Sequence, residues 1–261
     1  MCNGEVVPRA PALTTIIEYT HRATSGIDLL AVVLLVVWAV RAWPRGHRVR
    51  LGAALSGLFI VTEALIGAGL VLLEHVAANP SVYRGISLSI HLVNTFTLLA
   101  VLALTAWWAS GGPAAMPQPA YRGLLVVALV GLIVLGISGA IAALGDTLFP
   151  VTSLSAGLAQ DFSPSAHLFV RLRVFHPGIA VVVTAFLLFA VSRAMKRASA
   201  PGLRTLGLTV MGLAFLQLVV GAMNLALLAP VWMQLVHLAV GDFLWIATVL
   251  FAFSVSGTPE R

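Results

Sequence analysis

Seven apolar runs dominate the chain, at approximately 23–42, 51–73, 86–109, 121–144, 166–192, 204–228 and 232–254, with short polar or basic connectors between them. Each is about 20 residues or longer, enough at 1.5 Å per residue to cross the ~30 Å hydrocarbon layer of a bilayer. None shows the strict apolar/polar alternation of a barrel strand, so every span is expected to be a helix. The pattern predicts an all-α, polytopic membrane protein. Composition agrees with it: 60% of the 261 residues are hydrophobic and 9% are charged, too little polar surface for a water-soluble domain.

Charge orients the spans. Arg41, Arg45, Arg48 and Arg50 lie in one connector, and Arg193, Lys196, Arg197 and Arg204 in another; with Arg122 and Arg261, ten of the fifteen Lys/Arg fall on one face. That face is cytoplasmic by the positive-inside rule, which puts the chain in a prokaryotic cytoplasmic membrane with "GDTLFPVTSLSAGLAQDFSPS" outside. The formal charge of +6 is thereby a matter of topology, and the bilayer, not nucleic acid, is the partner it implies. One cysteine, Cys2, excludes an internal disulfide framework and a CxxC metal site.

The chain reads as a doubled unit. His21 is followed by Glu63 in "EALIG" and His91 in "IHLVN"; His176 is followed by Gln217 in "QLVVG" and His237 in "VHLAV", in the same order and at similar spacing. This predicts two pseudo-symmetric bundles, 1–112 and 113–261. The second has four spans and the first three, so an additional span upstream of Met1 is expected, its absence being read as truncation. "MCNGEVVPRAPALTTII" has the character of a polar connecting loop.

Four of the seven histidines, His21, His91, His176 and His237, lie at the outer ends of alternate spans. A lone histidine there is ordinarily an interfacial or hydrogen-bonded group. Four in matched repeats instead suggest one imidazole pair per half, each pair ligating a heme iron from its two sides, as helical bundles often do. Zinc or copper would call for Cys, Asp or a third His. The halves are not equivalent. In "EYTHR", Glu18 lies three residues before His21, on the same helix face, and Arg22 follows; in "RVFHP", Arg173 takes the place of the glutamate. The half with the carboxylate is the candidate reaction chamber. The half flanked by Arg171 and Arg173 is the candidate fixed-cofactor site, its arginines neutralising propionates, a role Arg22 is also placed to take. The intramembrane groups Asp28, Glu63 and Asp242, and Cys2, are left without an assigned role.

"CNGEVVP", "EYTHR", "IHLVNT", "LGDTLFP", "LRVFHPGIA" and "QLVHLAVGDFLW" together resemble the heme A synthase family across essentially the whole chain. The resemblance implies two four-helix bundles, with His21 and His91 facing the substrate heme O, Glu18 as the catalytic acid beside it, and His176 and His237 ligating heme b. The implied reaction is oxidation of a heme O methyl group to the formyl group of heme A, for cytochrome oxidase assembly. A heme O synthase, an electron donor and a second copy of the chain are the partners it suggests. Members commonly carry a cysteine pair in the first outer loop, whereas this chain has only Cys2. The rival reading is a diheme b-type electron-transfer protein without a substrate, which needs the four histidines but not Glu18.

Overall fold

The computed structural model describes residues 13–76, 79–112, 119–196 and 201–255; Cys2 lies outside them, as does the side chain of Glu18. The described residues are helical and contain no strand: α1 (Leu13–Ala42), α2 (Arg48–Leu72), α3 (Val82–Ala109), α4 (Pro119–Leu148), α5 (Leu154–Asp161), α6 (Leu168–Arg173), α7 (Phe175–Met195), α8 (Pro201–Ala226) and α9 (Val231–Ser254). Seven helical stretches are long and apolar enough to cross a membrane, α6 and α7 counting as one. The chain is a multi-pass membrane protein.

Local chemistry sets several helix ends. Ser81 and Ser153 accept the first free N–H groups of α3 and α5 through their hydroxyls, and His47 and His167 do the same for α2 and α6 through Nδ1. Gly46 and Gly111 take positive φ values, +84° and +80°, in the connectors that follow α1 and α3. Three features depart from the hydropathy pattern. Helix α1 starts at Leu13, ten residues before the apolar run. The connector between α4 and α6 contains the short helix α5. The fifth span is broken at Val174, because Pro177 has no N–H to give the Arg173 carbonyl four residues back. Pro177 sits in the first turn of α7, where the missing donor costs nothing.

Helices α4, α7, α8 and α9 form a closed ring in which α4 touches α7 and α9, and α8 touches α7 and α9. Helices α7 and α9 thus face each other across its centre. The large buried cluster, including Leu125, Leu187, Val210 and Phe251, lies in this ring. Helix α3 leans on its outside against α4 and α9 and carries α2, which carries α1. With no water to expel between membrane helices, close backbone approach does the holding. At Gly52 of α2 a β-carbon would overlap the Thr105 side chain of α3, so glycine lets the two helices cross closely there. The seam between halves is closed by Trp245 of α9, which stacks on Phe96 of α3 at 4.9 Å and donates its indole N–H to the Phe96 carbonyl at 2.7 Å.

Candidate functional site: two unequal histidine stations

His176, in the first turn of α7, and His237, in the second turn of α9, meet across the ring of four helices. Their ring centroids are 6.4 Å apart and their planes nearly perpendicular, at 87°. Metal–nitrogen bonds run about 2.0–2.1 Å, so two imidazoles sharing one ion between them need centroids about 6 Å apart or slightly more. The observed separation fits a single iron. The neighbouring helices make room for it: a β-carbon at Gly139 of α4 would lie 3.0 Å from His176 Cε1, and one at Gly221 of α8 would lie 3.0 Å from His237 Cε1. Each imidazole packs on a bare backbone.

The tautomer of His176 follows from its neighbour. Ser138 Oγ lies 2.8 Å from the Leu135 carbonyl and 2.9 Å from His176 Nδ1. With its proton on the Leu135 carbonyl, Ser138 accepts from Nδ1–H, the arrangement in which Nε2 keeps the lone pair a metal requires. On the opposite side, Gln217 Nε2 lies 3.4 Å from His237 Nε2, while His237 Nδ1 and Gln217 Oε1 are buried without hydrogen-bond partners. Buried polar atoms left open in this way are costly in an unliganded core and fit a ligand-binding centre.

The first half is built differently. His91 projects from α3 beside Glu63 of α2, with Nδ1 3.4 Å from Glu63 Oε1. The Asn94 amide and the Thr95 hydroxyl donate to the two oxygens of Glu63. His21 lies on α1, exposed, with no ring contact to His91 among the described residues. Since α1 is helical from Leu13, Glu18 and His21 share a helix face as their spacing requires. Arg22 is exposed on the next face, and Asp28 is exposed farther along the same helix.

At the end of α6, Arg173 is buried and fully engaged. Its guanidinium donates to Asp161 Oδ1 at 2.7 Å, Asp146 Oδ1 at 3.0 Å and Gln160 Oε1 at 3.0 Å, tying α6 to the ends of α4 and α5. Arg171 is exposed and donates to the Pro164 carbonyl. Phe169 wedges the same cap onto the membrane helices: a β-carbon at Gly85 of α3 would meet its ring at 2.9 Å, and one at Gly145 of α4 its carbonyl at 3.0 Å.

A family model described as cytochrome oxidase assembly protein matches residues 9–249. The chain belongs to that family. Over its full length it is 48% identical to a Thermus thermophilus protein named protoheme IX farnesyltransferase, of which the match covers 43%. It is 34% identical over 130 residues to a heme A synthase of Halalkalibacterium halodurans, a match covering 48% of this chain and 41% of that protein. A heme A synthase of Exiguobacterium sibiricum is 29% identical over 135 residues, covering 50% of this chain and 44% of its own length. The chain thus matches less than half the length of these relatives. No solved structure matches it.

For this member of the family, the doubled sequence pattern points to the histidines but not to what holds them. Ser138, Asn94 and Thr95 went unread because their partners are separated from them by fold rather than by a fixed spacing. The readable signals were the glycine four residues after Glu63 and again after Gln217, and the serine beside Gly139 on an otherwise apolar span.

Proposed function

We propose that the chain is a heme A synthase, oxidising a methyl group of heme O to a formyl group. What supports this most is that a chain matched to the assembly family over residues 9–249 carries two histidine stations of unlike chemistry, one beside a glutamate and one beside a glutamine. The farnesyltransferase name belongs to a relative more than half of which lies outside the match. Prenyl-diphosphate transfer needs paired carboxylates to hold magnesium. The aspartates here stand singly, and the two that meet, Asp146 and Asp161, meet on Arg173.

His176 and His237 hold heme b as a fixed centre near the outer side of the cytoplasmic membrane, and His21 and His91 face heme O. Bound heme supplies the electron transfer that oxidation of an unactivated methyl group demands. The chain's own residues do the rest. Ser138 keeps the Nε2 of His176 free, Gly139 and Gly221 leave both rings unobstructed, and Glu18 receives protons released at the substrate methyl. Arg22 and Arg171, exposed at the outer ends, face propionates.

Glu18→Gln tests this. It keeps size and hydrogen-bonding capacity and removes the proton acceptor. Expressed with a heme O synthase, the variant is expected to retain heme b and to accumulate heme O or its hydroxylated form in place of heme A, read by mass spectrometry of extracted hemes. Heme A at the parent rate would favour the diheme electron carrier instead.

A further inference from the structure

The repeat-related pair Glu63 and Gln217 is the sharpest chemical difference between the stations, and nothing in the proposed reaction uses it. Glu63 is not a free membrane carboxylate. Asn94 Nδ2 donates to its Oε2 and Thr95 Oγ1 to its Oε1. Asn94 is fixed in turn, its second N–H donating to the Phe59 carbonyl at 3.0 Å and its Oδ1 accepting from Thr62 at 2.7 Å. The network aims one carboxylate at one imidazole. His91 Nδ1 is buried with Glu63 Oε1 at 3.4 Å, and makes no hydrogen bond in the present ring orientation.

The geometry points to Glu63 as the positioning residue of the substrate station. Accepting from Nδ1–H, it fixes the His91 tautomer with Nε2 free and makes that ligand more electron-donating than His237. This rests on the reading of His91 as a ligand of heme iron. A metal-bound histidine whose second nitrogen donates to a carboxylate is a stronger base than one whose second nitrogen has no acceptor, as His237 Nδ1 has none. A stronger donor favours the oxidised iron, so the substrate station has the lower reduction potential of the two, and electrons leaving it run toward the His176–His237 station. Glycine matches glycine in the two halves, Gly67 against Gly221, but Gly67 meets nothing within 4 Å, so the carboxylate rather than a tight backbone contact sets the ring of His91.

The test uses the full chain with His176→Ala and His237→Ala, leaving His21 and His91 as the candidate ligand pair, and hemin as the probe. Low-spin hemin binding is followed by absorbance and its midpoint potential by redox titration. In that background Glu63→Gln is expected to raise the midpoint potential. Thr95→Val is expected to lower it, because it strips a competing donor from the carboxylate and strengthens the bond from His91. A packing disturbance would move both variants the same way. Shifts of equal sign, or no shift in either variant, overturn the role of Glu63 while leaving the ligand reading intact. Absence of low-spin hemin in the background chain overturns the ligand reading itself, and the role of Glu63 with it. If Glu63→Gln does not fold, the downward shift with Thr95→Val decides alone, and a parental or raised potential there overturns the proposal.

Discussion

Arg173→Leu removes the hub of the cap formed by α5 and α6, and the structure sets what that costs. The guanidinium is 9% exposed and meets Asp161, 13% exposed, at 2.7 Å and Asp146, 30% exposed, at 3.0 Å. Deleting one partner of a buried ion pair costs about 3–5 kcal/mol, because the charge left behind stays buried. Asp146 retains enough contact with water to be partly solvated alone, so the loss should fall near the lower end, about 3 kcal/mol, nearly all of it through Asp161 and the Gln160 carbonyl. Reversible unfolding of the detergent-solubilised protein measures it. A double-mutant cycle with Asp161→Asn isolates the cause: in the parent that substitution should destabilise, whereas in Arg173→Leu it should be neutral or restore about 1–2 kcal/mol by removing an uncompensated charge. A stability loss under about 0.5 kcal/mol for Arg173→Leu, or an Asp161→Asn effect unchanged between backgrounds, would refute the reasoning.

Two further outcomes test the second station and the seam. Gly139→Val and Gly221→Val, each pushing a side chain against a histidine whose Cε1 lies 3.0 Å from the β-carbon position, should reduce low-spin heme in the purified protein by most of its content while conservative changes at Gly123, where a β-carbon meets nothing, should not; pyridine hemochrome assay decides. Trp245→Phe keeps the stack on Phe96 but loses the indole hydrogen bond, and should cost about 0.5–1.5 kcal/mol in the same unfolding assay.

The membrane spans were legible because a bilayer demands long uninterrupted apolar runs, and nothing else in a chain looks like them. The first-turn residues of α1 were not, since Thr14, Thr15, Glu18 and Tyr19 lower hydropathy without lowering helicity. The break at Val174 was written in Pro177 but outweighed by the apolar run around it. Position along the repeat made His176 and His237 recognisable as a pair. The partners of Arg173 were invisible from sequence: the arginine suggested a propionate-neutralising group, whereas three acceptors from α4 and α5 close around it only once the loop between α4 and α6 folds. In the same way Glu63 stood out as a mid-span carboxylate, but its orientation depends on Asn94 and Thr95, which look like ordinary polar residues of α3.

The indole bond from Trp245 to the Phe96 carbonyl joins residues 149 positions apart in the chain. During synthesis α3 enters the bilayer long before α9 exists, so for most of translation Phe96 waits with a bare aromatic face toward lipid. The seam closes only when α9 arrives. A ribosome that stops short of α9 releases a chain with an open ring and an unlatched α3 together, two exposed faces that membrane quality control can recognise, whereas a chain that has made α9 hides both in one event.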